Sequence, residues 1–242
     1  MRSFFIVLIY FLTACESVNQ SEDFIKQKAQ QAKENKEYHK AIDLYNQVLV
    51  GDSIPDFDVL LSLGDCYLMI NDAQAAQGCY RKALPYDTDF KARKALGRSQ
   101  LLTSNGREAV ENFKGVLGAM PNDIAALNGI GVGYDQIGDH KTAQIYYHQA
   151  LQHDPNNTDT QSNLALSLAF AKDFATSLQI LEKIGLDASA TPKQRHNLAL
   201  VYVMANRLDD AYTLLEKDLP REEAAKLIEY AVKKGKSNVA GL

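Results

Sequence analysis

The sequence predicts an all-α fold, a solenoid of six helix-turn-helix repeats closed by a C-terminal capping helix. Three observations carry this. Small residues recur at Ala41, Ala76, Ala109, Ala143, Ser177 and Ala211, with spacings of 35, 33, 34, 34 and 34. Twelve residues before each stands a second small residue (Ala29, Gly64, Gly97, Gly131, Ala165, Ala199), and four after each a large one (Tyr45, Tyr80, Phe113, Tyr147, Leu181, Leu215). All six prolines, at 55, 85, 121, 155, 192 and 220, fall at the joints of this register. Inside a helix each would cost about 3 kcal/mol.

The chain opens differently. Residues 1–14 read MRSFFIVLIYFLTA, in which Arg2 is followed by a nine-residue stretch, Phe4 to Leu12, broken only by Tyr10. Crossing a bilayer takes about 20 apolar residues, so the stretch is too short for a transmembrane helix and fits the core of a secretory signal peptide. It runs into Leu12-Thr13-Ala14-Cys15, which resembles the lipobox of bacterial lipoproteins. That resemblance implies cleavage before Cys15 and a covalent diacylglyceryl and N-acyl (palmitate-type) lipid on its thiol. Two or three chains anchor stably where one binds only marginally. Glu16, where inner-membrane retention would favour Asp, implies the outer membrane. Residues 15–21 are expected to be the lipidated cysteine and a short tether, the seven residues Glu16 to Glu22 reaching roughly 23 Å when extended, and residues 22–219 the six repeats.

The periodicity has a physical reading. A helical hairpin cannot bury its apolar face alone, so neighbours stack and share a continuous core. Gly or Ala lets the two helices cross closely, and the large residue fills the space beside the crossing. These are the places where the tetratricopeptide repeat (TPR) puts its small residues on helices A and B and its large residue on helix B; the resemblance covers residues 22 to about 225. After the sixth repeat, residues 220–235 form the capping helix, with Ala224, Leu227, Ile228 and Ala231 as its apolar stripe. Gly235 is expected to end it and 236–242 to be a flexible tail.

Composition excludes several classes. A net charge of −4 does not suit nucleic-acid binding, which needs a basic surface. Three cysteines are too few for a disulfide scaffold. Cys66 and Cys79 lie one on each helix of the second repeat and read as buried thiols, a pairing being undecided by sequence. The five histidines are scattered, and His148 and His153, five apart, splay by roughly 140° on a helix, so no metal site is expected. Gly129-Ile130-Gly131-Val132-Gly133 lacks the strand before and the Gly-Lys-Ser/Thr after that a phosphate loop needs; close helix packing explains it better. No Ser, Cys or Asp stands in a recognisable nucleophile context. The chain is therefore expected to be non-enzymatic, without cofactors beyond the lipid on Cys15.

A protein partner is expected in a concave groove lined by helix A. Lys91, Lys94 and Arg98 occupy positions 2, 5 and 9 of the third repeat, within about 60° of one another on a helix; they read either as a cationic strip for an acidic segment or as a solvated face. Asn163 and Asn197 hold one helix-A position in repeats five and six, with Asn128 one place earlier in repeat four. Amide side chains match the edge of an extended peptide backbone; ordinary solvated Asn is the alternative. One turn on, Met69, Leu102, Phe170 and Met204 recur, interrupted by Gln136, as packing or, if exposed, as a stripe for an amphipathic segment.

Residues 127–202 carry a closer likeness. The Leu-Asn-Gly-x-Gly-Val opening, the NLALSLA block and the Thr-Pro-x-x-Arg-x-Asn-Leu-Ala-Leu block resemble the TPR lipoprotein of tight-adherence (Tad, Flp) pilus assembly, TadD, and Asp218-Leu219 before a terminal helix is similar. Ser177 departs from the usual Ala. This resemblance implies a periplasmic, lipid-anchored adaptor, or pilotin, that binds a segment of the outer-membrane secretin or another assembly protein. Scaffolds for outer-membrane protein insertion or peptidoglycan hydrolases, and type IVa pilotins, share the same plan.

Overall fold

Each helix is started and stopped by residues the repeat places at fixed points. The computed structural model describes residues 22–50 and 56–239. The leader, Cys15 and the tether lie outside the described residues, as do Pro55 and residues 240–242. Twelve helices alternate as A and B members: α1 (22–34), α2 (Tyr38–Val48), α3 (Phe57–Met69), α4 (Ala73–Ala83), α5 (Lys91–Leu102), α6 (Gly106–Leu117), α7 (Ile124–Gln136), α8 (His140–His153), α9 (Thr158–Phe170), α10 (Phe174–Gly185), α11 (Pro192–Met204) and α12 (Leu208–Leu215). A terminal helix α13 (Arg221–Val239) follows, and a single 3-10 turn, Leu84–Tyr86, takes up Pro85. No strand is present among the described residues.

The A-to-B turn is the same in all six repeats. Lys36, Asn71, Ser104, Gly138, Lys172 and Asn206 all take left-handed backbone, with φ between 59° and 83°. The amides of Glu37, Asp72, Asp139, Asp173 and Arg207 then turn back to a carbonyl five residues earlier, as in Asp72 to Tyr67 at 2.9 Å, Asp139 to Tyr134 at 2.9 Å and Arg207 to Tyr202 at 2.7 Å. This closes helix A with a Schellman motif. The same residue often caps helix B: the carboxylates of Asp72, Asp139 and Asp173 accept from the amides of Ala75, Thr142 and Thr176. Helices α3, α7, α9 and α11 are capped in turn by Asp56, Asp123, Asn157 and Thr191. Each such cap contributes about 1 kcal/mol.

The chain divides into two compact units, the first ending at Ser104 and the second starting at Asn105. In the first, Ala29, Ala41, Tyr45, Leu63 and Cys66 belong to one buried cluster and Ala76, Tyr80 and Leu96 to another. In the second, Ala143, Tyr147 and Leu164 form a cluster beside a larger one built on Ala165, Leu181, Leu198, Ala211, Leu215 and Ala224. Ser177, the one departure from Ala at its position, is fully buried, and its hydroxyl donates to the Ala165 carbonyl at 2.7 Å. The helices therefore still cross tightly there.

α13 runs through Gly235 to Val239, past the stop expected from the sequence. A lone glycine costs a helix about 1 kcal/mol, which does not end it unless the chain also turns left-handed there. No helix among the described residues is long and apolar enough to cross a membrane.

Candidate functional site

In the second unit the A helices α7, α9 and α11 carry the amide row. Asn163 Nδ2 donates to Asn128 Oδ1 at 3.0 Å, so the one-residue offset between repeats four and five brings the two side chains together. With that bond made, Asn128 keeps its amide donors and Asn163 its carbonyl for a ligand. Asn197 holds the equivalent place on α11, half-buried, and makes no hydrogen bond to the pair.

Beyond the amides stands Phe170, the last residue of α9 and 46% exposed. Its ring stacks on His140, with centroids 5.7 Å apart and planes at 27°. His140 opens α8, and its Nδ1 lies 2.7 Å from Asp135 Oδ1. The Ser167 hydroxyl donates to the same oxygen at 2.6 Å, and the Tyr147 hydroxyl to Asp135 Oδ2 at 2.9 Å. Burial, reinforced by the neighbouring Asp135 carboxylate, pushes the Tyr147 phenol well above its usual range, which keeps it a donor. Met204, the equivalent of Phe170 on α11, is half-buried.

Ser, His and Asp thus meet, but not as a catalytic triad. There the imidazole stands between hydroxyl and carboxylate and takes the hydroxyl proton. Here the Ser167 hydroxyl bonds the carboxylate itself, and Ser167 is fully buried. The hub instead ties α7, α8 and α9 together beneath Phe170. No group of three or more potential metal ligands occurs among the described residues. The glycine run of α7 serves packing: a Cβ on Gly131 would lie 2.4 Å from the Tyr147 ring, and one on Gly129 2.5 Å from Phe113.

In the first unit, Lys91 and Arg98 are exposed on α5 and Lys94 is half-buried. Met69 and Leu102, the last residues of α3 and α5, are 57% and 69% exposed. Packing therefore does not account for the stripe at Met69, Leu102 and Phe170. Cys66 and Cys79 are free, buried thiols; burial pushes Cys79 up to about 11.

Sequence reasoning missed two constellations. The Asp135 hub draws on residues 5, 12 and 32 positions from the carboxylate, and no local pattern joins them. At the other end of the unit, Arg195 grips Asp218 with Nε, at 2.6 Å, and Nη2, while Nη1 donates to the Ala190 carbonyl. The guanidinium holds the Asp218 carboxyl below the usual range. This fork fastens the start of α11 to the link between α12 and α13.

This architecture has clear structural counterparts. A tetratricopeptide repeat protein from Parabacteroides merdae superposes with a TM-score of 0.74 over 89% of this chain and 84% of its own, at 13% identity. The fold is that of a TPR protein. A thermophilic TPR protein of Thermus thermophilus matches with a TM-score of 0.64 and 21% identity over 73% of this chain and 99% of its own. MamA from Desulfovibrio magneticus matches with a TM-score of 0.61 and 18% identity over 67% and 92%. No family model matches the chain. An uncharacterized protein, y4yS, of Sinorhizobium fredii is 43% identical over 89 residues, 37% of this chain and 48% of its own length. The BBSome complex member BBS4 of Bos taurus is 22% identical over 82% of this chain and 38% of its own length. The chain spans less than half the length of these curated relatives.

Proposed function

We propose that this chain is a TPR protein-interaction scaffold, held by lipid on Cys15 at the periplasmic face of the outer membrane, and that it serves Tad (Flp) pilus assembly as an adaptor or pilotin. Its ligand is a segment of the secretin or of another assembly protein. The observation that carries the binding reading is the row of Asn128, Asn163 and exposed Phe170 along neighbouring A helices of the second unit. It offers amide groups to a peptide backbone and an aromatic ring to a side chain, the two demands of peptide recognition. The Asp135 hub holds that ring in place, which lowers the ordering cost of binding. The lipobox residues support the anchor, and the sequence blocks between 127 and 202 support the pilus assignment. An anchor also raises the local concentration of scaffold near membrane partners, so modest affinity suffices.

The test is a photoreactive residue at Asn163 or Phe170, crosslinked in the native cell envelope. Capture of a secretin subunit or another pilus-assembly protein, lost on Phe170→Ala, is expected. Capture of an outer-membrane insertion machine or a peptidoglycan hydrolase would replace the pilus assignment. Metabolic palmitate labelling abolished by Cys15→Ser checks the anchor; unchanged labelling rejects it.

A further inference from the structure

The helix that closes the stack does not present the outer face of a cap. A terminal element of a solenoid keeps that face polar, since nothing stacks on it. α13 turns Ala224 and Ile228 into the core of the second unit, with Val232 packed beside them. Leu227, expected from the sequence to share that stripe, is 46% exposed, and Tyr230 is 58% exposed. At about 100° per residue the two lie within about 60° of each other and about 100° or more from Ile228. Glu223, one turn before Leu227, and position 234, one turn after Tyr230, fall on the same line of the helix. The outer line is therefore Glu223, Leu227, Tyr230, Lys234, in steps of four, three and four. That is the spacing of a coiled-coil seam.

Turned end for end, the line matches itself. About a two-fold axis midway between 227 and 230, Leu227 of one copy faces Tyr230 of the other, and Glu223 faces position 234, a lysine. Each contact occurs twice. A two-fold interface has to be self-complementary in this way, residue i meeting j and j meeting i. The flank adds little uncompensated charge, because Lys226 is held by Glu222 at 2.8 Å and Lys233 by Glu229 at 2.7 Å. Glu223, by contrast, is exposed and makes no ion pair among the described residues. A bilayer would meet a glutamate in line with the apolar residues, and an unrelated partner gives no reason for the mirrored order of acid and base.

We infer that the outer face of α13 seats a second copy of this chain, the two terminal helices packing antiparallel across a two-fold axis. The seam from 223 to 234 is about 17 Å long and one helix wide. It falls short of the roughly 1,200 Å² that a stable interface buries, so the dimer is weak, with a dissociation constant on the order of 0.1 mM. The pairing needs neither the lipid on Cys15 nor the pilus assignment, and it uses none of Asn128, Asn163 and Phe170. The crosslinks at Asn163 and Phe170 therefore succeed or fail independently of it.

The test is sedimentation equilibrium of the full chain carrying Cys15→Ser, at concentrations from about tenfold below to about fivefold above that constant. The average mass is expected to climb toward that of two chains. Leu227→Ser with Tyr230→Ser should hold it at one. Glu223→Lys and Lys234→Glu should each weaken association about tenfold, since each turns two attractions into repulsions. An equimolar mixture of those two variants should associate again, because every acid then faces a base across the axis. Circular dichroism confirms that the variants keep the fold. A mass that stays at one chain throughout would overturn the pairing, as would association that survives Leu227→Ser with Tyr230→Ser. A mixture no more associated than its components would overturn the antiparallel arrangement. Phosphatidylglycerol vesicles that bind the parent chain but not the Leu227→Ser, Tyr230→Ser variant, with no dimer in solution, would give this face to a lipid surface instead.

Discussion

Glycine to alanine inside a helix ordinarily stabilises, by about 1 kcal/mol. Two helical glycines of this protein should respond with opposite signs. A Cβ on Gly78, in α4, meets nothing within 4 Å, so Gly78→Ala should show the propensity gain. A Cβ on Gly131 would lie 2.4 Å from Tyr147 Cε1 and 2.7 Å from Cδ1 and Cζ. Carbon atoms rest at about 3.5–4.0 Å, so the ring must retreat by about 1 Å. Tyr147 is 1% exposed and tied to Asp135 through its hydroxyl, which leaves it nowhere to go. Overpacking of this kind costs about 1–3 kcal/mol, and the strained Tyr147–Asp135 bond adds to it. Set against the propensity gain, Gly131→Ala should destabilise by about 1–2 kcal/mol. At about 2–4 °C per kcal/mol for a chain of this size, the two variants should melt about 5–10 °C apart. Thermal and urea unfolding followed by circular dichroism measures this, and Tyr147→Leu should relieve much of the Gly131→Ala penalty in the double variant. Equal melting of the two variants, or additive effects in the double one, would refute the account of ring against helix.

Four further outcomes follow from the same geometry. Lys172→Gly should stabilise by about 0.5–1 kcal/mol because left-handed backbone strains any residue with a Cβ, whereas Gly138→Ala, at φ 83°, should destabilise by about 1 kcal/mol; urea midpoints decide. Burial, with Asp135, raises the Tyr147 phenol in the folded state, so its contribution is complete below about pH 10 and is lost as pH rises beyond that; Tyr147→Phe should flatten the alkaline limb of a stability profile. Arg195 lowers the Asp218 carboxyl, so that contribution is complete above the ordinary carboxylate pKa of about 3.9 and is lost as pH falls through the lowered folded value; Asp218→Asn should flatten the acid limb. In a Cys15→Ser background, Cys66 and Cys79 should resist a thiol reagent in the native state and both react on unfolding, since burial holds both thiols protonated.

The sequence is legible wherever one position in the repeat has one physical job. Small residues at Gly64 and Ala76, or Gly131 and Ala143, announce a close crossing, and twelve helices follow from them. The left-handed turn was legible only in part. Asn71, Gly138 and Asn206 are residue types that favour it, but Lys36, Ser104 and Lys172 take it because the flanking helices force it. Gly235 misled because a weak helix former was read as a stop. The Asn128–Asn163 contact could be anticipated from register, since neighbouring A helices bring nearly equivalent positions side by side. The Asp135 hub could not, because its carboxylate on α7 gathers partners from both α8 and α9, and no other copy has a histidine at the place of His140. Arg195 and Asp218 stood in the sequence as separate marks of a family resemblance; only the fold joins them into one fork.

That contrast says where recognition resides in a repeated structure. Residues that recur at every period are held by the demands of stacking, and they cannot distinguish one partner from another, because each repeat offers the same ones. Partner choice must come from departures that stacking does not require. In the first unit the departure is α5, which carries four cations and no acid and ends in an exposed Leu102. In the second it is Phe170 seated on His140, with Ser167 and Asp135 below. Gln136 at the equivalent end of α7 presents an amide instead of an apolar group, which interrupts the stripe. Substituting the recurring positions should therefore lower stability and all binding together. Substituting Asn163 or Phe170 should change which segment is held while leaving the melting temperature near its original value.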